Sequence, residues 1–223
     1  MTGNTLFAEE NALLTGNYSQ SFGLGFECEL IQRAAKAQII KYLPKLTEEL
    51  QNIWNHRDKE FEEFMGEAHT KLEIPKVEKE NIRAGIECMS LIEAPLERWP
   101  SILVYARNGT PYTIQEDQFS TESFTLDIEI LCSIGPVKEK EVHNKEGLAL
   151  MEELDSQIQR LSDAVYLCIQ KDKTLSGSVG QIEKPPKVTT SLPWARKESA
   201  TATGETFIFQ GKQLDFQVQK ISY

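Results

Sequence analysis

Residues 123–135, SFTLDIEILCSIG, constrain the fold more than any other stretch of the chain. Phe124, Leu126, Ile128, Ile130 and Cys132 alternate with Thr125, Asp127 and Glu129. A period of two places the apolar side chains on one face of a β-strand and the polar ones on the other. Such a strand needs a sheet around it and an apolar layer over one face. The cover lies further along, where Leu148, Met151, Leu154, Ile158, Leu161, Val165 and Ile169 recur at steps of three and four. That spacing predicts a long amphipathic helix over 145–171.

WPSILVYAR (99–107), opened by Pro100 and closed by the turn pair Asn108-Gly109, reads as another strand. Near the end, ETFIFQ and KQLDFQVQKI alternate and meet at Gly211, which predicts a C-terminal hairpin. LEIPKVE and IRAGIECMSLIEA, within 72–94, read as two short strands. Upstream, ECELIQRAAKAQIIKYL (27–43) is Ala-rich and free of Gly and Pro, a helix that Pro44 should end. A second helix follows the N-cap Thr47, with Leu46, Leu50, Ile53, Trp54, Phe61, Phe64 and Met65 on one face, and closes near Gly66. Its aromatic stripe reads as core or subunit contact in preference to a cofactor box. The expected class is α+β: a mostly antiparallel sheet with a long helix packed on one face, plus an N-terminal helical part. Residues 1–26, rich in Gly, Asn, Ser and Thr, read as an extended arm. Residues 27–223 read as one domain, helical over 27–66, with core sheet and helix over 98–221.

A formal charge of −10 argues against tight binding to a nucleic-acid backbone, which needs clustered Lys and Arg. No run of about 18 apolar residues occurs, and the first residues lack the pattern of a secretory signal. No membrane partner is expected. Cys28, Cys88, Cys132 and Cys168 stand far apart among apolar or periodic residues, as buried free thiols do. His56, His69 and His143 sit in charged contexts without ligand spacing. The acidic pairs Glu62-Glu63, Glu116-Asp117 and Glu152-Glu153 are adjacent in sequence, so their carboxylates diverge. No catalytic, cofactor-binding or metal-ligating set emerges, no cofactor is implied, and the chain does not read as an enzyme.

KDKTLSGSVGQIE (171–183) raises a sharper question, because Gly177-Ser178-Val179-Gly180 has the GxxG form of a nucleic-acid clamp. That module needs helices on both sides and a basic surround. A phosphate loop needs a strand before and a helix after, whereas here a helix C-terminus, which repels anions, comes first. The expected role is a helix stop: Lys171 and Lys173 suit the C-terminus, Leu175 folds onto the core, Gly177 turns, and Val179 and Ile182 resume the sheet.

Three stretches together resemble one family. They are RWPSILVYARNGTPYTIQEDQFSTESFTLDIEIL (98–131), SDAVYLCIQKDKTLSGSV (162–179) and GETFIFQGKQLDFQVQKI (204–221). Their pattern is similar to that of the tail terminator (tail completion) proteins of long-tailed bacteriophages. The resemblance implies a virion structural protein of the tail and neck, assembled in the host cytoplasm. It implies a homohexameric ring that caps the head-proximal end of the tail tube, stops its polymerisation and joins it to the neck or connector. The implied partners are further copies of the chain, tail tube protein, neck or connector protein, sheath protein where the tail contracts, and genomic DNA only in transit. The negative charge would then keep DNA from adhering to the lumen. A neck or baseplate adaptor of a phage or contractile injection machine is the alternative. In either case the stretches 108–123 and 172–204 read as contact loops, with Asn108, Thr110, Tyr112, Gln118, Phe119, Trp194, Arg196 and Lys197 as candidate contact residues.

Overall fold

The computed structural model describes residues 23–66, 72–85, 100–112, 120–137, 142, 144–182, 185–197 and 206–222. Helix α1 spans Gly23–Met65. A single 3₁₀ turn, Lys79–Asn81, leads into β1, Ile82–Ala84. Strands β2 (Ser101–Tyr112) and β3 (Ser120–Val137) precede helix α2, Lys145–Lys171. Then come β4 (Gln181–Ile182), β5 (Lys187–Thr190), β6 (Trp194–Lys197) and the long β7, Thr206–Ser222.

Strand β3 lies between β2 and β7 and runs antiparallel to both, while β1 adds in parallel beside β2. On its other side β7 receives β6 at 206–209, β5 at 212–215 and β4 at 218–219, all antiparallel. Residues 181–197 therefore form one interrupted edge strand laid along β7. The interruptions coincide with Pro185, Pro186 and Pro193, which cannot donate to a ladder and are tolerated at an edge. Helix α1 packs over β1 and β2, and α2 over β3 and β7, both on the same face. The fold is α+β, with the long helix on one face of a mostly antiparallel sheet.

The core follows the two periods. Phe124, Leu126, Ile128 and Ile130 of β3 are buried against Leu154, Ile158, Leu161 and Val165 of α2 and Ile31, Ala35 and Ile39 of α1. The α2 span matches the 145–171 periodicity at both ends, and Asn144 caps it by accepting from the Glu146 and Gly147 amides at 3.0 Å each. At its other end the buried Gln38 amide donates to the carbonyls of Cys168, Ile169 and Asp172 at 2.8, 3.2 and 2.9 Å. These carbonyls lie at the end of α2 and just past it, so α1 supplies a side-chain cap to that terminus.

Several expectations require correction. Pro44 does not end a helix: it lies inside α1. A proline removes one backbone donor and crowds the preceding turn. Here Ile39, Leu43 and Leu46 are buried on both sides of it, and that packing carries the helix through. Residues 23–26, assigned above to the arm, already belong to α1. Gly211 does not turn a hairpin; it lies within β7, which continues unbroken past it. A Cβ there would approach Leu131 Cδ2 to 3.1 Å, so this glycine admits a neighbouring side chain instead of bending the chain. Of the two strands expected in 72–94, only Ile82–Ala84 forms; 72–78 is irregular and 86–94 lies outside the described residues. Asn108-Gly109 is not a tight turn: β2 runs on to Tyr112, with a register shift between Asn108 and Pro111.

Candidate interaction surfaces

The nominated contact residues fall into two separate groups. Asn108, Thr110 and Tyr112 lie in the distal part of β2, and Gln118 and Phe119 lie outside the described residues. Trp194, Arg196 and Lys197 lie in β6, opposite Phe209, Phe207 and Thr206. Asn108 pairs with Phe124, which pairs with Val218, whereas Trp194 pairs with Phe209. Nine residues of β7 separate the two groups, about 30 Å at a strand rise of about 3.3 Å. They cannot form one patch on one copy. The stretch 172–204 is also not an open loop, since 187–190 and 194–197 are strands of the sheet edge.

The turn at 171–183 behaves as a helix stop with its own internal ligand. Leu175, Ser176 and Gly177 have φ of 48°, 58° and 83°, the left-handed region where successive amides converge. The Asp172 carboxylate fills that convergence. It accepts from the Thr174 amide at 2.9 Å, the Thr174 hydroxyl at 2.7 Å and the Ser176 amide at 2.8 Å. The Gly177 amide turns to Thr174 Oγ1, and the Ser178 and Val179 amides to the Leu175 and Thr174 carbonyls. An incoming phosphate would have to displace this aspartate from its own donors. Leu175 is fully buried and Ile182 pairs with Val218, as expected for a chain folding back onto its core.

Among the other reactive types, Cys132 and Cys168 are buried free thiols, each pushed up to about 12 by burial. Cys28 is half-buried and in no disulfide, and Cys88 lies outside the described residues. His56 is exposed on α1 beside Glu60, 3.5 Å away, while His69 and His143 lie outside the described residues. Among the described residues no three His, Cys, Asp or Glu side chains come together as a metal site requires. No described helix is long and apolar enough to cross a membrane.

Polar groups do gather on both faces of β7. Asp127 and Asp215 are register partners on the face away from the helices, and Arg107 bridges to Asp127. Burial pushes the Asp127 carboxyl up, Arg107 draws it down, and Asp215 pushes it up again. Burial likewise raises Glu129 and Asp163. On the helix face, Lys212 donates to Gln159, and Gln210 donates to Asp155 at 2.8 Å and to the Ser191 carbonyl at 3.2 Å. Burial lowers the Lys212 ammonium, opposed by Asp163 and Asp155.

The titration of these carboxyls has a definite sign. With its pKa raised by folding, Asp127 holds a proton more tightly in the native chain than in the unfolded one. Its contribution therefore grows as pH falls from neutral through its folded value. Asp172 is held down, first by the Thr174 hydroxyl and then by the Ser176 and Thr174 amides. Its contribution is present above the ordinary aspartate value of about 3.9 and lost below it. In urea titrations from neutral to acid pH, wild type should therefore gain stability relative to Asp127→Asn as pH falls. Its advantage over Asp172→Asn should shrink below about pH 4. Opposite slopes would refute both assignments.

Two apolar features remain uncovered. The stripe on α1 is divided: Leu46 is buried, Leu50 and Trp54 are partly buried, and Ile53, Phe61, Phe64 and Met65 are exposed. Between the last turns of α1 and the middle of α2 lies a groove of about 700 Å³, lined by Trp54, Phe61 and Phe64 and by the ion pairs Arg57–Glu60 and Arg160–Asp58. The second feature is the edge strand, where Lys187 to Leu192 are all exposed. Sequence periodicity located the stripe but could not show where its cover ends, because the cover is α2, about a hundred residues away.

No protein-family model matches the chain, and no curated protein matches it.

Proposed function

We propose that the chain is a phage tail terminator, a structural subunit whose copies close into a ring at the head-proximal end of a tail tube. One observation carries the reading. The three stretches that resemble the family correspond to β2 with β3, the end of α2 with its turn, and β7. Strands β2, β3 and β7 are neighbours in the sheet, and α2 lies over two of them. Residues distant in sequence thus belong to one packed unit, as expected when a resemblance reflects a shared core. The uncovered apolar ends of this unit also suit a subunit that works among copies.

Purified protein mixed with purified tail tubes and viewed by negative-stain microscopy tests the reading. Ring-shaped caps on one tube end, with tube growth arrested, are expected. Tubes that elongate unchanged and carry no cap would overturn it.

A further inference from the structure

We propose that Asp127 carries a proton on Oδ1, taken from solvent on folding, and donates it to the Asp215 carboxylate. The β3–β7 seam is thereby latched by one proton and loosened when that proton leaves. The inference stands apart from the ring reading.

Asp127 and Asp215 are register partners in the middle of the β3–β7 ladder, so both side chains leave the sheet on the same face. Opposed cross-strand residues have Cβ atoms about 4.5–5.5 Å apart, close enough for two like charges to destabilise a sheet. Asp127 is only 5% exposed. Its Oδ2 bridges to Arg107, while its buried Oδ1 finds no donor among the described residues. A buried oxygen left without a donor is costly. Asp215 is already supplied, since its Oδ1 accepts from the Gln213 amide at 2.6 Å. A proton on Asp127 Oδ1 answers both strains with one bond. It turns the orphaned acceptor into a donor, with the Asp215 carboxylate as its acceptor, and it removes one of two opposed charges.

The neighbouring charges do not replace that proton. The row that crosses the pair runs Tyr105, Asp127, Asp215 and Lys187, over β2, β3, β7 and β5. Lys187 is exposed at the sheet edge, beyond Asp215. Arg107 stands one row away, opposite Thr125, and reaches Asp127 diagonally. Glu129 lies in the row on the other side with Gln213 and Leu103, and Leu103 pairs with Arg83 of β1. The helices cover the opposite face of the sheet. Two ionised carboxyls beside the Arg107 guanidinium would leave one negative charge over, at a site with little water. Burial is the largest influence on Asp127 and favours its neutral form, as Asp215 does, while Arg107 opposes both. A proton bound more tightly in the native chain contributes fully at low pH. Its contribution is lost as pH rises through the folded value of Asp127, which leaves two carboxylates opposed across the seam.

Carbon-13 NMR of the aspartate carboxyls in the full chain tests the latch, with the Asp127 signal assigned by its loss in Asp127→Asn. Asp127 should keep its proton at pH values where exposed aspartates, ordinarily about 3.9, have ionised. Asp215→Asn should lower the Asp127 midpoint by about one pH unit or more, because an amide donor takes the place of an opposed charge. Hydrogen exchange reads the seam itself. Corrected for the intrinsic pH dependence of exchange, protection of the amides over 125–129 and 213–217 should fall in wild type as pH rises through that midpoint. In Asp127→Asn, whose side-chain amide donates at every pH, protection should stay level. The wild-type titration and exchange decide even where a variant folds poorly. An Asp127 that ionises with the exposed aspartates, a midpoint unmoved by Asp215→Asn, or protection that ignores the step would each overturn the latch.

Discussion

Arg160→Ala is expected to destabilise the fold by about 3–5 kcal/mol, the range for breaking a buried ion pair from one side. Arg160 lies inside α2 at 5% exposure and donates to both Asp58 oxygens, at 2.8 and 3.0 Å, and to the Leu72 carbonyl at 3.0 Å. Its guanidinium also lies over the Trp54 ring, 4.6 Å from the centroid. One side chain therefore ties α2 to α1 and to the segment after α1. Truncation leaves Asp58, itself largely buried, without a counter-charge, and the Leu72 carbonyl with only the Gln51 amide. Lysine should not rescue, because a single ammonium cannot span both carboxylate oxygens and stack on the indole. Arg160→Met combined with Asp58→Leu should recover most of the loss, since it removes both charges from the interior. Urea denaturation of the three variants decides. A loss below about 1 kcal/mol for Arg160→Ala would place the pair among exposed ion pairs and refute this account.

That same arginine shows what local sequence conceals. Arg160 sits in the polar part of the α2 pattern, and its acidic partner is 102 residues away, so no window that reads helix periodicity registers the pair. Where one period runs in one phase, the sequence was sufficient: α2 and the alternating part of β3 lie where the apolar spacing puts them. It misled where punctuation residues were taken at face value. Pro44 and Gly211 ordinarily interrupt, but buried neighbours hold the chain through both. The edge strand was hidden by three prolines and becomes visible only because β7 is long enough to pair with all its pieces. The contact residues were chosen for polarity between core strands, a signal that finds surface without saying which surfaces are adjacent.

Phe216→Ala is the second large expected loss, about 3–5 kcal/mol for emptying a fully buried phenylalanine site. Phe216 lies in the middle of β7 opposite Leu126, with no exposed surface, and stacks on Tyr166 of α2 at 6.3 Å between centroids and 11° between planes. The stack accounts for about 0.5–1.5 kcal/mol of that loss. The rest comes from lost burial and from a cavity that a close-packed sheet-and-helix core cannot fully close. Phe216→Leu should lose less, because it keeps most of the apolar volume. Urea denaturation of Phe216→Ala and Phe216→Leu beside wild type measures both losses. A loss below about 1 kcal/mol for Phe216→Ala, or one no larger than that of Phe216→Leu, would refute this account.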